Sequence, residues 1–122
     1  MKSTKFFFSI FLFVISNTIN AQTPSNKEID QLILQHNARS LKFFNEYLHL
    51  KKTQENHNIL IEKLCRSQEA VNDVMYNSIK YPNLENSAFY LQKSKELNYL
   101  LDEEFKDLGA TETSCYQYMF NN

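Results

Sequence analysis

Residues 55–82 read ENHNILIEKLCRSQEAVNDVMYNSIKYP, and their pattern decides the fold. On a helical wheel Leu60, Ile61, Leu64, Val71, Val74, Met75 and Ile79 form one stripe, the signature of a helix with one face against a core. The helix is expected from about Glu55 to Tyr81, because Pro82 disfavours the helical conformation in the residue before it. An apolar face of that length needs other elements to cover it.

The flanking sequence supplies two of the same kind. Upstream, Ser25 and Glu28 have the spacing of a capping box, in which the serine hydroxyl accepts from a free amide and the glutamate reaches back. A helix should therefore begin near Asn26 and run to about Leu50, with Ile33, Leu34, Ala38, Leu41, Phe44 and Leu48 on its core face. A polar hinge, residues 51–56, follows. Downstream, Tyr90, Leu97, Leu100, Leu101, Phe105 and Leu108 fall together, and Gly109 supplies the left-handed residue that closes many helices. A short fourth helix is expected from Thr111 to Phe120. With short turns the neighbours are antiparallel, so the expected fold is all-α: a small antiparallel bundle of three long helices plus a short C-terminal helix. No alternating apolar pattern argues for a strand, and no internal repeat is present.

Outside that bundle, the chain opens with Lys2 and Lys5, runs through residues 6–15, apolar except for Ser9, and reaches small and polar residues before Ala21. This is the three-part plan of a secretory signal peptide, and the expected cut lies between Ala21 and Gln22. The apolar run is roughly ten residues, against roughly twenty for a spanning helix. Residues 1–21 are read as removed and residues 22–122 as one helical domain, exported to a periplasm or secreted, with no stable membrane insertion after cleavage. An uncleaved anchor is the alternative, since Ile19 is large for its place before the cut. The lack of an Asn-x-Ser/Thr acceptor and the richness in Asn, Lys, Ile and Phe favour a bacterial source. Removing two lysines moves the formal charge from −1 to about −3, so nucleic acid is not an expected partner.

Two cysteines in an exported chain, Cys65 and Cys115, suggest one disulfide. Counting along the expected helices brings the two to similar heights, so the bond would staple the C-terminal tail to the second helix. Closing a loop of about 50 residues contributes roughly 4 kcal/mol in the chain-entropy account. Two free buried thiols are the alternative. A redox pair would ordinarily sit in a C-x-x-C at a helix start, which these do not.

The polar residues offer one constellation with metal chemistry. Glu46 and His49 share a helix face, and His57 lies beyond the hinge, where antiparallel helices would bring the histidines level. Imidazole and carboxylate at that spacing suit zinc or copper, although Lys51 and Lys52 nearby oppose a cation and a solvated face accounts for the same residues. No cofactor is otherwise expected. His36 reads as a packed, hydrogen-bonded residue, and Glu104, Gln68 and Ser78 interrupt the apolar stripes with polar groups. No Gly-rich phosphate loop, G-x-S-x-G, H-E-x-x-H or haem-attachment motif is present, so no enzyme class is indicated and no catalytic residue is assigned.

The first helix carries a second apolar stripe, Ile29, Leu32, Phe43, Tyr47 and Leu50. One helix cannot bury both stripes in a bare hairpin. Either the fourth segment, with Tyr116, Tyr118, Met119 and Phe120, covers it, or a partner does. The leading expectation is a non-enzymatic interaction protein of the inhibitor, immunity, adaptor or chaperone kind, binding another protein or itself through this stripe. A metal-binding helical module at Glu46, His49 and His57 is the alternative.

Overall fold

The computed structural model describes residues 25–53 and 56–120; the expected signal segment and cleavage point lie outside the described residues. The fold is all-α, with α1 at Asn26–Lys52, α2 at His57–Lys80, α3 at Ser87–Asp107, a 3-10 turn at Glu112–Cys115 and α4 at Tyr116–Phe120. Among the described residues there is no strand, and no helix is long and apolar enough to cross a membrane.

The helix ends follow local chemistry. Ser25 Oγ accepts from the Glu28 amide at 3.2 Å, which starts α1 where the capping pattern placed it. α2 starts two residues later than expected, because Asn56 is its cap: Oδ1 accepts from the Asn58 amide at 2.8 Å. α2 ends at Lys80, ahead of Pro82. At the end of α3, Gly109 has φ +67°, Ala110 N donates to Phe105 O at 2.8 Å and Gly109 N to Lys106 O at 2.9 Å. That pair of bonds is a Schellman closure, and it reverses the chain. The final segment is a 3-10 turn before a short α-helix, rather than one continuous helix from Thr111.

α2 is the middle element, packed along its length against α1 on one side and α3 on the other, whereas α1 and α3 meet over a much smaller area. Its expected stripe is largely the core: Leu60, Ile61, Leu64, Val71 and Val74 are buried, Met75 is half-buried, and only Ile79 points out. α3 adds buried Leu97, Leu101 and Phe105. Cys65 and Cys115 sit at disulfide distance with Cα atoms 5.3 Å apart, and both belong to the main core cluster. The tail is thus held against α2 as anticipated, and Tyr118 Oη also donates to Asn58 O at 3.2 Å.

α1 is turned about one residue step, roughly 100°, from the expected orientation. The buried residues are Ile29, Ile33, Ser40 and Tyr47; of the stripe read as core, only Ile33 is buried and Phe44 half-buried, while Leu34, Ala38, Leu41 and Leu48 are exposed. The cause is steric. Ser40 and Ser67 face each other where α1 and α2 approach, and Ser67 Oγ donates to Ser40 O at 2.8 Å. A leucine in place of Ser40 would hold the helices apart, so the seam selects small residues over apolar ones.

The candidate groove between the first and third helices

Because α1 and α3 both lean on α2 and scarcely on each other, a cleft of about 540 Å³ runs between them on one side of the bundle. Its floor is Phe44, Tyr90 and Leu97, and its walls include Leu41, Phe89 and Leu100 with Asn37, Asn45, Lys93 and Glu96 at the edges. Phe44 is held from below by Tyr47, with ring centroids 6.1 Å apart. Phe89 stands edge-on to Tyr90 at 4.9 Å, and Lys93 Nζ lies 5.5 Å from the Phe89 ring. Leu41 is 45% exposed, Phe89 57% and Leu100 48%, so large apolar groups are presented to solvent together rather than scattered. Leu34 and Leu48 extend the same face of α1 along the helix, one heptad either side of Leu41.

The second stripe of α1, expected to be an interaction surface, is not an open face. Ile29 and Tyr47 are buried, Tyr47 completely, inside the packing of the three long helices, and Leu50 and Phe44 pack against the same cluster. Phe43 is half-buried beneath Lys42 and Lys63, whose ammonium groups lie 5.8 and 5.6 Å from its ring; Leu32 alone stays open at 38%. Tyr47 belongs to a core cluster built with residues of α2 and α3, and Tyr118 of α4 packs against that cluster. The stripe read as an open surface is thus largely packed inside, and the stripe read as core is largely exposed. The signal that separates them is the repeat Leu34, Leu41, Leu48 beside an inner seam that carries Ser40.

Tyr47 organises a polar contact at the edge of the core. Its hydroxyl donates to Glu104 Oε1 at 2.7 Å, and Lys51 Nζ donates to the same oxygen at 2.7 Å while lying 3.7 Å from Asp107. Burial pushes the Tyr47 phenol well above its usual range, and the carboxylate beside it adds to the effect. Burial alone would raise the Glu104 carboxyl, but the hydrogen bonds from Lys51 and Tyr47 outweigh it and hold the group below the ordinary range. The Lys51 ammonium is raised chiefly by its hydrogen bond to Glu104. This is a structural clasp between α1 and α3. A second clasp closes the other end of the pair, where Asp30 accepts from both the backbone and the side chain of Asn86. Gln68 spends its amide on Asn72 and Asn98, at 3.0 and 2.8 Å.

Glu46, His49 and His57 do not assemble. Lys63 Nζ donates to Glu46 Oε2 at 2.9 Å, His49 and His57 are exposed, and among the described residues no group of three His, Cys, Asp or Glu side chains is placed to hold a metal ion. His36 Nδ1 stands 3.7 Å from Asp73 Oδ2, which also accepts from Arg39 at 3.2 Å. No protein-family model, curated protein or solved structure matches this chain.

Proposed function

We propose that this protein is a non-enzymatic interaction module, of the inhibitor, immunity, adaptor or chaperone kind, that works outside the cytoplasm and binds an apolar helical surface on the α1–α3 face. The observation that carries the reading is the cleft in which Leu41, Phe89 and Leu100 stand exposed over a floor of Phe44, Tyr90 and Leu97. Grooves between helices take the apolar face of another helix, with large side chains as anchors. The N-terminal signal pattern supports export, and the Cys65–Cys115 pair is compatible with an oxidising compartment.

A photoreactive residue in place of Leu41, in the full chain expressed in the cells that make it, tests this directly. A discrete adduct on irradiation, absent when the same residue replaces Lys95 away from the cleft, is the expected result. No adduct at position 41 would remove the groove as an interaction site.

A further inference from the structure

Resting on that reading, we infer that the occupant of the α1–α3 face is a second copy of this chain, docked antiparallel about a two-fold axis that crosses the groove. In such a dimer each contact occurs twice with the partners exchanged, so the face must complement itself. The α3 wall does. Phe89 and Leu100 are equidistant from the midpoint between Ser94 and Lys95, and Lys93 and Glu96 share that midpoint. Turning one copy over another sets Phe89 against Leu100 and, with opposite charges, Lys93 against Glu96. Within one chain that pair meets only at 3.7 Å, with both side chains at least half exposed, so each is available to the other copy.

The α3 midpoint lies level with residues 37–39 of α1, because the Tyr47–Glu104 and Asp30–Asn86 contacts join positions 57 and 56 apart. Leu34 and Leu41 flank that level on the exposed face of α1. One axis therefore serves both helices, and it sets Leu34 against Leu41 of the other copy on α1 while Phe89 meets Leu100 on α3. The dimer would pack α1 on α1 and α3 on α3, converting an open face of two helices into a closed four-helix layer of the kind that antiparallel bundles form.

Sedimentation velocity on the full chain, expressed with its own N-terminal segment and purified under oxidising conditions, tests the inference. At about 10 to 100 µM the expected species has twice the chain mass. Leu41→Glu places a carboxylate against Leu34 of the other copy, twice in each dimer, and is expected to weaken it at least 100-fold, with an unchanged far-ultraviolet spectrum. Lys93→Glu alone opposes like charges and should weaken it about tenfold. Adding Glu96→Lys to it exchanges the two charges and should restore association, and a mixture of the two single variants should form a heterodimer. A wild-type monomer overturns the inference, as does a dimer indifferent to Leu41→Glu and to the charge exchange. A monomer that still gives the position 41 adduct with a different protein overturns only the choice of occupant; a monomer with no adduct overturns both.

Discussion

α1 presents two faces to two different surroundings, and the contrast between them shows what a helix seam selects. Toward α2 it offers Ile29, Ile33, Ser40 and Tyr47, a set that a hydropathy count would rank behind Leu34, Leu41 and Leu48 on the other face. The inner set wins because packing rewards fit. A buried serine where α1 meets α2 takes little space and bonds locally: Ser40 Oγ donates to Asn37 O at 2.6 Å while Ser40 O accepts from Ser67 Oγ. The outer leucines have the greater transfer energy but stay 37 to 45% exposed.

Four changes and one titration break or sharpen that contrast. The largest effect is expected at Tyr47→Ala, which empties the centre of the inner seam and deprives Glu104 of a donor; a loss of about 3 to 5 kcal/mol in urea unfolding is predicted. Cys115→Ser releases the tail and the loop constraint, with an expected cost of about 4 kcal/mol by the same measurement. Ser40→Leu makes the inner face more apolar, yet should destabilise by about 1 to 3 kcal/mol through overpacking. If it stabilised the fold instead, the steric account of the seam would fail.

The titration probes the clasp. A carboxylate whose folded-state pKa is depressed contributes stability that is present above its unfolded pKa and is lost as pH falls through the folded value. Glu104 is such a group. The stability difference between wild type and Glu104→Gln should therefore be constant near neutral pH and narrow in acid, below about pH 4. A difference independent of pH would show that the charge on Glu104 does nothing for the fold. Last and smallest, Leu41→Ser on the outer face should change the unfolding free energy of the dilute chain by no more than about 0.5 kcal/mol. The pair Ser40→Leu and Leu41→Ser, adjacent in sequence and opposite in chemistry, puts the whole comparison into two measurements.

Much of the architecture was legible from the chain. Ser25, Pro82 and Gly109 act through their own backbone and neighbours, so the helix limits they set needed no tertiary information. The α2 stripe was legible because α2 is buried on two sides and almost any apolar residue along it finds contact. α1 was harder. A straight helix drifts by about 20° per heptad against a seven-residue repeat, so over its length a wheel blurs two neighbouring stripes into one. Choosing between them depends on which residues let α2 approach, and Ser67 lies on the other helix. The Tyr47–Lys51–Glu104 clasp was half visible, as a carboxylate in an apolar stripe; its partners come from α1 and are set by the same rotation. The groove was missed for that reason too, since Leu41 was assigned to the core.

The cysteine pair carries a further consequence, in time rather than in space. Cys65 precedes Cys115 by 50 residues, and a chain made from its N-terminus presents them in that order. At synthesis rates of about 10 residues per second, Cys65 waits about 5 seconds for its partner. α3 and the reversal at Gly109 lie within that interval, and both are complete in sequence before the second thiol arrives. A bond between them can therefore close only after the residues of all three long helices have been synthesised, and until then the Cys65 thiol has no partner within its own chain.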